Sequence, residues 1–125
     1  MERDPGDICD RASIAKLKAH RIAQEESIRE WKAFEQELII LIAKYPTICI
    51  MMFFELLYKI NAMIWDLESD LRLGKLDGAL SEVGRRAIDI REHNNLRVQI
   101  KNILNTLVGE GFLDIKKEHI SGDEL

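Results

Sequence analysis

Apolar residues recur at helical spacing along most of this chain. Ile60, Ile64, Leu67 and Leu71 follow one another at steps of three and four, which places them on one face of a helix. Neither glycine nor proline interrupts the stretch from residue 60 to residue 72. The pattern predicts that this stretch lies within a long helix with one apolar face.

Interruptions of the same pattern divide the chain into three predicted helices. The first covers about residues 6–44, either as one long kinked helix, which is the preferred interpretation, or as two helices bent near Ala23–Ser27. Pro46 ends it, because proline cannot continue the hydrogen-bond ladder of a preceding helix. The second helix covers about residues 47–73, with Gly74 just past its end, and the third covers about residues 79–108.

The predicted fold is all-α: an antiparallel three-helix bundle of long helices in a single domain, residues 1–125. Residues 109–125 are predicted to form a short extended tail. Only seven glycines and two prolines occur in 125 residues, too few turn formers for a multi-stranded sheet. Hydrophobic residues at 46% and charged residues at 32% are typical of long helices with solvated faces. Short connections place the middle of the third helix beside the middle of the second.

Charge and cysteine usage exclude several classes of protein. The net charge is −4 and basic residues alternate with acidic ones, so no nucleic-acid polymer is predicted as a partner. Cys9 and Cys49 belong to no CxxC motif, which argues against a disulfide scaffold and against structural zinc. The charged N-terminus lacks the apolar stretch of a signal peptide, and a cytoplasmic location is expected.

The segment Leu38–Phe54 is almost continuously apolar. A membrane-spanning helix needs about 20 apolar residues, and Lys44 and Pro46 interrupt the segment near its middle, so no membrane partner is predicted. An apolar corner between helices, or a contact between copies in a homo-oligomer, fits the pattern better.

A polar flank runs beside the apolar face of the second predicted helix. Asn61, Trp65, Glu68 and Arg72 follow one another at steps of four, three and four. Arginine and lysine can bind phosphate or carboxylate groups, asparagine can hydrogen-bond to a base or ribose, and tryptophan can stack. Asp10 and residues of the other two helices extend the polar set. The predicted ligand-binding residues are Asp7, Arg11, Lys18, Asn61, Trp65, Glu68, Arg72, Arg91, Asn94, Asn95, Arg97 and Lys101.

Three motifs stand at intervals along the chain. GDxxDRxxIxxLK begins at Gly6, NxxIWxxExxxR begins at Asn61, and NxxR with KN occupies Asn94–Asn102. Together they resemble an uncharacterised small all-helical family found in bacteria and phages. The resemblance implies a helical fold and no established activity. Leu38–Phe54 departs from it by being more apolar, which favours a contact specific to this protein.

The favoured function is non-enzymatic binding, with sequestration as one role, of a small anionic, nucleotide-like ligand in a crevice between the second and third predicted helices. No catalytic residue, cofactor or metal ligand is assigned. The alternative is a structural adaptor in which polar residues pair with one another, as Asp7 with Arg11 and Glu68 with Arg72, and the apolar corner mediates assembly.

A third hypothesis is a metal-dependent nucleotide hydrolase. Asp66 and Asp70, or Glu68 with Asp89 and Glu92, could hold Mg²⁺ between helices. The paired ExxE and ExxD carboxylates of all-α nucleotide pyrophosphatases have no counterpart in this sequence. Exposed charge on helix surfaces is the better explanation of these carboxylates.

Overall fold

The computed structural model describes residues 3–74 and 78–109. Within these ranges the chain forms four α-helices: α1 Pro5–Arg21, α2 Glu25–Lys44, α3 Ile50–Arg72 and α4 Leu80–Val108. The all-α prediction is confirmed. The predicted extended tail lies outside the described residues, apart from Gly109.

The first predicted helix is two helices, and the preferred single long helix is wrong. Ala23 has a φ of 56°, and Gln24 is extended, with φ −86° and ψ 154°. This pair of conformations reverses the chain, so that Arg3 on one arm lies 3.0 Å from the Glu37 carboxylate on the other. The chain folds back because an unbroken helix would leave Leu38 without the core that it joins here. The described residues therefore form four helices where three were predicted, and the alternative prediction of two helices bent near Ala23–Ser27 is confirmed.

The start of α1 combines two helix-initiating residues. The Asp4 side chain caps the helix by accepting a hydrogen bond of 2.8 Å from the backbone N–H of Asp7, and Pro5 occupies the first turn. Asp7 itself lies in that first turn, where its charge favours the positive end of the helix. The helix therefore begins at Pro5, one residue before the predicted start at about residue 6.

The central helix of the fold is α1, which contacts each of the other three. Its buried face is made mostly of small residues, so neighbouring helices can approach it closely. These residues include Gly6, Cys9, Ala12, Ser13, Ala15 and Ala19. Larger side chains of α3, chiefly Phe54 and Leu57, fill the core beside them. Because the buried residues of α1 are small, its backbone and its short polar side chains can contact all three neighbouring helices.

The helices α3 and α4 run antiparallel. Asp70 pairs with Arg86 at 3.2 Å near their connection, and Arg97 donates a hydrogen bond of 3.5 Å to Asn61 halfway along. The sequence-based prediction that the middles of these helices meet is therefore confirmed. Gly74, with a φ of 72°, stands just past the end of α3 as predicted.

The apolar segment Leu38–Phe54 divides between the core and the surface. Its buried members, Leu38, Leu41, Ile50, Phe53 and Phe54, belong to one hydrophobic cluster with α1. Its exposed large members are Ile39, Ile40, Met51 and Met52. No helix in the described ranges is long and apolar enough to span a membrane. The oligomer contact predicted for this segment stays a prediction, now restricted to the four exposed side chains.

Candidate ligand-binding site

A buried polar network joins α1, α3 and α4. The carboxylate of Asp10, only 4% exposed, accepts a hydrogen bond of 3.0 Å from Asn61 Nδ2. Asn61 Nδ2 also lies 2.9 Å from the hydroxyl of Ser13, which in turn donates to the backbone oxygen of Asp10. Buried polar groups need such partners, because leaving them unpaired is costly. The network therefore sets how the three helices meet.

Two cations of α4 compensate the charge of this network. Arg97 Nε lies 3.8 Å from Asp10 Oδ1, and Lys101 Nζ lies 3.6 Å from carboxylate oxygens of both Asp10 and Asp7. Asp7 is also bound by Arg11 at 2.8 Å, the i,i+4 pair predicted from the sequence. Arg97 Nε is buried and makes no hydrogen bond to another described residue. The attraction between Arg97 Nε and the Asp10 carboxylate is therefore ionic, without a hydrogen bond.

A second contact between α1 and α4 escaped the sequence analysis. Asn105 accepts a hydrogen bond of 2.8 Å from the backbone N–H of Gly6, and both residues are buried. This bond satisfies one of the N–H groups that a helix N-terminus leaves unpaired. Asn105 and Ser13 lay in helical stretches without a distinguishing pattern. Ser13 lies one helical turn after Asp10, and Asn105 lies on a helix that neighbours Asp7. These positions were the only signals by which the sequence could have indicated the two residues.

Two adjoining pockets lie on either side of the network. The α2-side pocket, of about 370 Å³, opens between α1, α2 and α4 and is lined by Asp7, Asp10, Arg11, Ile14, Lys18, Glu30, Phe34, Arg97 and Lys101. The α3-side pocket, of about 290 Å³, opens between α1, α3 and α4 and is lined by Ile14, Leu17, Lys18, Asn61, Ile64, Trp65, Glu68, Arg72 and Arg97. Ile14, Lys18 and Arg97 line both pockets, so Lys18 and Arg97 can present charge to either.

The charges of the α2-side pocket are largely compensated by one another. Three of its four cations pair with Asp7 or Asp10, as described above. Glu30, from α2, adds a third carboxylate to the lining. This pocket is suited to holding the helices in register and offers little net positive charge to an anion.

The α3-side pocket has an excess of positive charge. Lys18, Arg72 and Arg97 come from three different helices, and Glu68 is the one carboxylate among the described residues of its lining. Neither Lys18 nor Arg72 forms a salt bridge with another residue of the described ranges, and the predicted Glu68–Arg72 pair does not form. Trp65 completes one wall, although the guanidinium of Arg21 lies 5.7 Å from its ring centroid. Lys18 and Arg72 thus have no carboxylate partner among the described residues, whereas Arg97 is shared with Asp10.

Nine of the twelve predicted site residues line these two pockets, and three do not. Arg91 and Asn95 are exposed on α4, and Asn94 is half-buried there. All three lie outside the linings of both pockets. The prediction included five polar residues of α4, and of these five the helix turns Arg97 and Lys101 towards α1. These two form the contacts to Asp10 and Asp7.

Asp66 and Asp70, which the hydrolase hypothesis assigned to a metal site, form salt bridges with arginines of different helices. Asp66 binds Arg21 of α1, whereas Asp70 binds Arg86 of α4. Within residues 3–74 and 78–109, the structure brings together no group of three histidine, cysteine or carboxylate side chains that could hold a metal ion. Asp66 and Asp70 thus serve different helix contacts, and their arrangement does not favour a shared metal site.

The two cysteines are expected to differ sharply in reactivity. Cys9 is fully buried, and burial, helped by the nearby charge of Asp10, raises its pKa from 9.0 to about 12. Cys49, by contrast, is exposed. Because the thiolate is the reactive form, iodoacetamide at mildly alkaline pH should modify Cys49 alone in the folded protein. Mass spectrometry should find a second modification only after unfolding, and rapid modification of Cys9 in the native state would contradict the packing described.

Comparisons with protein-family models, with curated proteins and with solved structures found no match for this chain. The resemblance to an uncharacterised helical family therefore stays a prediction. Function has to be argued from the site itself.

Proposed function

We propose that this protein binds a small anionic, nucleotide-like ligand in the α3-side pocket without transforming it. The observation that carries the proposal is the convergence of Lys18, Arg72 and Arg97 from three helices on one pocket. A phosphate-bearing ligand would supply the negative charge that the lining lacks. Arginine binds phosphate oxygens in pairs through its planar fork, and lysine adds a point charge.

The other groups of the pocket suit the rest of a nucleotide. Trp65, Ile14 and Ile64 provide apolar and aromatic surface for a base, and Glu68 can accept hydrogen bonds from a ribose hydroxyl or an amino group. The pocket volume of about 290 Å³ is near the lower end of the range for small-molecule sites, roughly 300–1,000 Å³. A ligand larger than the pocket could continue past Lys18 and Arg97 into the α2-side pocket. Tight binding without chemistry would make the protein a sequestering agent.

The test compares two double variants with equal changes of charge. Lys18→Gln/Arg72→Gln removes two cations of the pocket, while Lys59→Gln/Arg91→Gln removes two exposed cations that line neither pocket. Isothermal titration calorimetry with a panel of mono-, di- and cyclic nucleotides should find a binder for the wild type. The pocket variant should lose at least about tenfold in affinity, which corresponds to about 1.4 kcal/mol, and the control should bind as the wild type does.

Equal losses in both variants would mean that the ligand responds to general charge and would contradict the pocket. Failure of every nucleotide to bind the wild type would also contradict the proposal. It would favour the alternative function, a structural adaptor. The buried contacts of Asp10, Ser13 and Asn61 support that alternative, since such a network can fix helix register in a protein whose role is assembly.

A further inference from the structure

The outward face of the second half of α4 is free of charged side chains between residues 95 and 108. Arg97 and Lys101 are the charged residues of this stretch, and both turn inward to Asp10 and Asp7. Charged residues make up 32% of the whole chain, so a solvated helix face of this length would ordinarily carry several. This surface therefore differs from the rest of the exterior.

Large aliphatic side chains stand exposed on the same face. Leu96, Ile103 and Leu107 are 45%, 53% and 55% exposed, and they follow one another at steps of seven and four. That spacing aligns them in one stripe and matches the seam through which two helices pair side by side. The stripe has the pattern of a helix–helix contact, and its three side chains stay exposed to solvent among the residues that the structure describes.

We propose that this α4 stripe is the contact surface of a symmetric homodimer, with α4 of a second copy as its partner. In a two-fold symmetric interface the same surface of both subunits is in contact, so a charged residue within it would lie near residues of the same charge. A neutral stripe avoids that repulsion, which matters for a chain of net charge −4. Asn95 and Gln99, exposed beside the stripe, carry both donors and acceptors and can pair with their own copies.

The proposed dimer leaves both pockets accessible. Arg97 and Lys101 turn towards α1 and line the pockets, whereas Leu96, Ile103 and Leu107 line neither pocket. The dimer proposal therefore does not rest on ligand binding. It also differs from assembly through Leu38–Phe54, whose exposed aliphatic pair Ile39 and Ile40 lies on α2.

Light scattering coupled to size-exclusion chromatography distinguishes these surfaces. The wild type should elute with twice the 14.5 kDa mass of one chain. Leu96→Glu/Ile103→Glu should elute as a monomer with unchanged helical circular dichroism, because four carboxylates would meet at the interface. Ile39→Glu/Ile40→Glu, an equal change on α2, should remain dimeric. A wild type that is monomeric over about a hundredfold range of concentration would overturn the proposal. A dimer lost only in the α2 variant would overturn it as well.

Mixing oppositely charged variants identifies the partner as a second α4. Leu96→Lys/Ile103→Lys should be monomeric alone and should form a heterodimer when mixed with Leu96→Glu/Ile103→Glu, because lysines then face carboxylates. Native mass spectrometry resolves the two chains by mass. Restoration of the mixed dimer is expected. Two variants that stay monomeric together would show that the stripe does not meet itself, and the symmetric interface would be rejected.

Discussion

Replacing Asp10 by alanine is expected to lower the free energy of unfolding by about 3–5 kcal/mol. The carboxylate is almost fully buried and is the common partner of Asn61, Arg97 and Lys101. Its removal leaves Arg97 without a carboxylate partner among the described residues, Lys101 with Asp7 alone, and Asn61 with one acceptor fewer. Breaking one partner of a buried ionic group costs more than the pair contributes, because the remaining charges stay desolvated.

A matched control is Asp66→Ala. Asp66 also pairs with an arginine of another helix, but its side chain is 67% exposed. Water replaces the lost partner at such a site, so the expected loss is below about 1 kcal/mol. Urea denaturation followed by circular dichroism measures both variants. Equal midpoints for Asp10→Ala and Asp66→Ala would mean that the buried network does not hold α1, α3 and α4 together.

The second large effect is expected at Gly6, where α1 approaches α4 most closely. A Cβ atom added at Gly6 would lie 2.7 Å from the backbone oxygen of Lys101, a contact that a flexible side chain could not relieve. Gly6→Ala should therefore push α4 away and weaken the bond from Gly6 to Asn105. The expected loss is about 1–3 kcal/mol, the range for overpacked interiors.

Gly84→Ala provides the opposite expectation within the same protein. Gly84 lies within α4, and an added Cβ would meet nothing within 4 Å. Alanine is the better helix former there by about 0.5–1 kcal/mol, so this variant should be more stable than the wild type. Thermal unfolding of both variants checks the pair. A Gly6→Ala protein as stable as the wild type would show that α1 and α4 are not in backbone contact.

The sequence predicted helix ends at proline and glycine more reliably than the turn at which α2 folds back onto α1. Pro46 and Gly74 marked breaks that the structure confirms, because these residue types constrain the backbone by themselves. Ala23 gave no such signal. Alanine and its neighbour Gln24 are good helix formers, and the left-handed turn at Ala23 is imposed by the packing of α2 onto α1.

The candidate site was predictable where one helix face had a clear apolar stripe. On α3 that stripe fixed the orientation of Asn61 and Trp65, and both line the α3-side pocket. On α4 the apolar residues are spread around the helix, so the sequence could not separate Arg97, which faces the pocket, from Arg91, which is exposed. Three of these apolar residues, Leu96, Ile103 and Leu107, are exposed and are the ones proposed to contact a second copy of the chain.

Native mass spectrometry of the purified protein, compared with its denatured mass, tests the proposed binding function most directly. We expect folded protein that carries, or takes up from a nucleotide panel, one anionic molecule per chain. Lys18→Gln/Arg72→Gln should lose this added mass, and Lys59→Gln/Arg91→Gln should retain it. Folded protein that carries no added mass, and acquires none from any nucleotide offered, would contradict the proposed binding function.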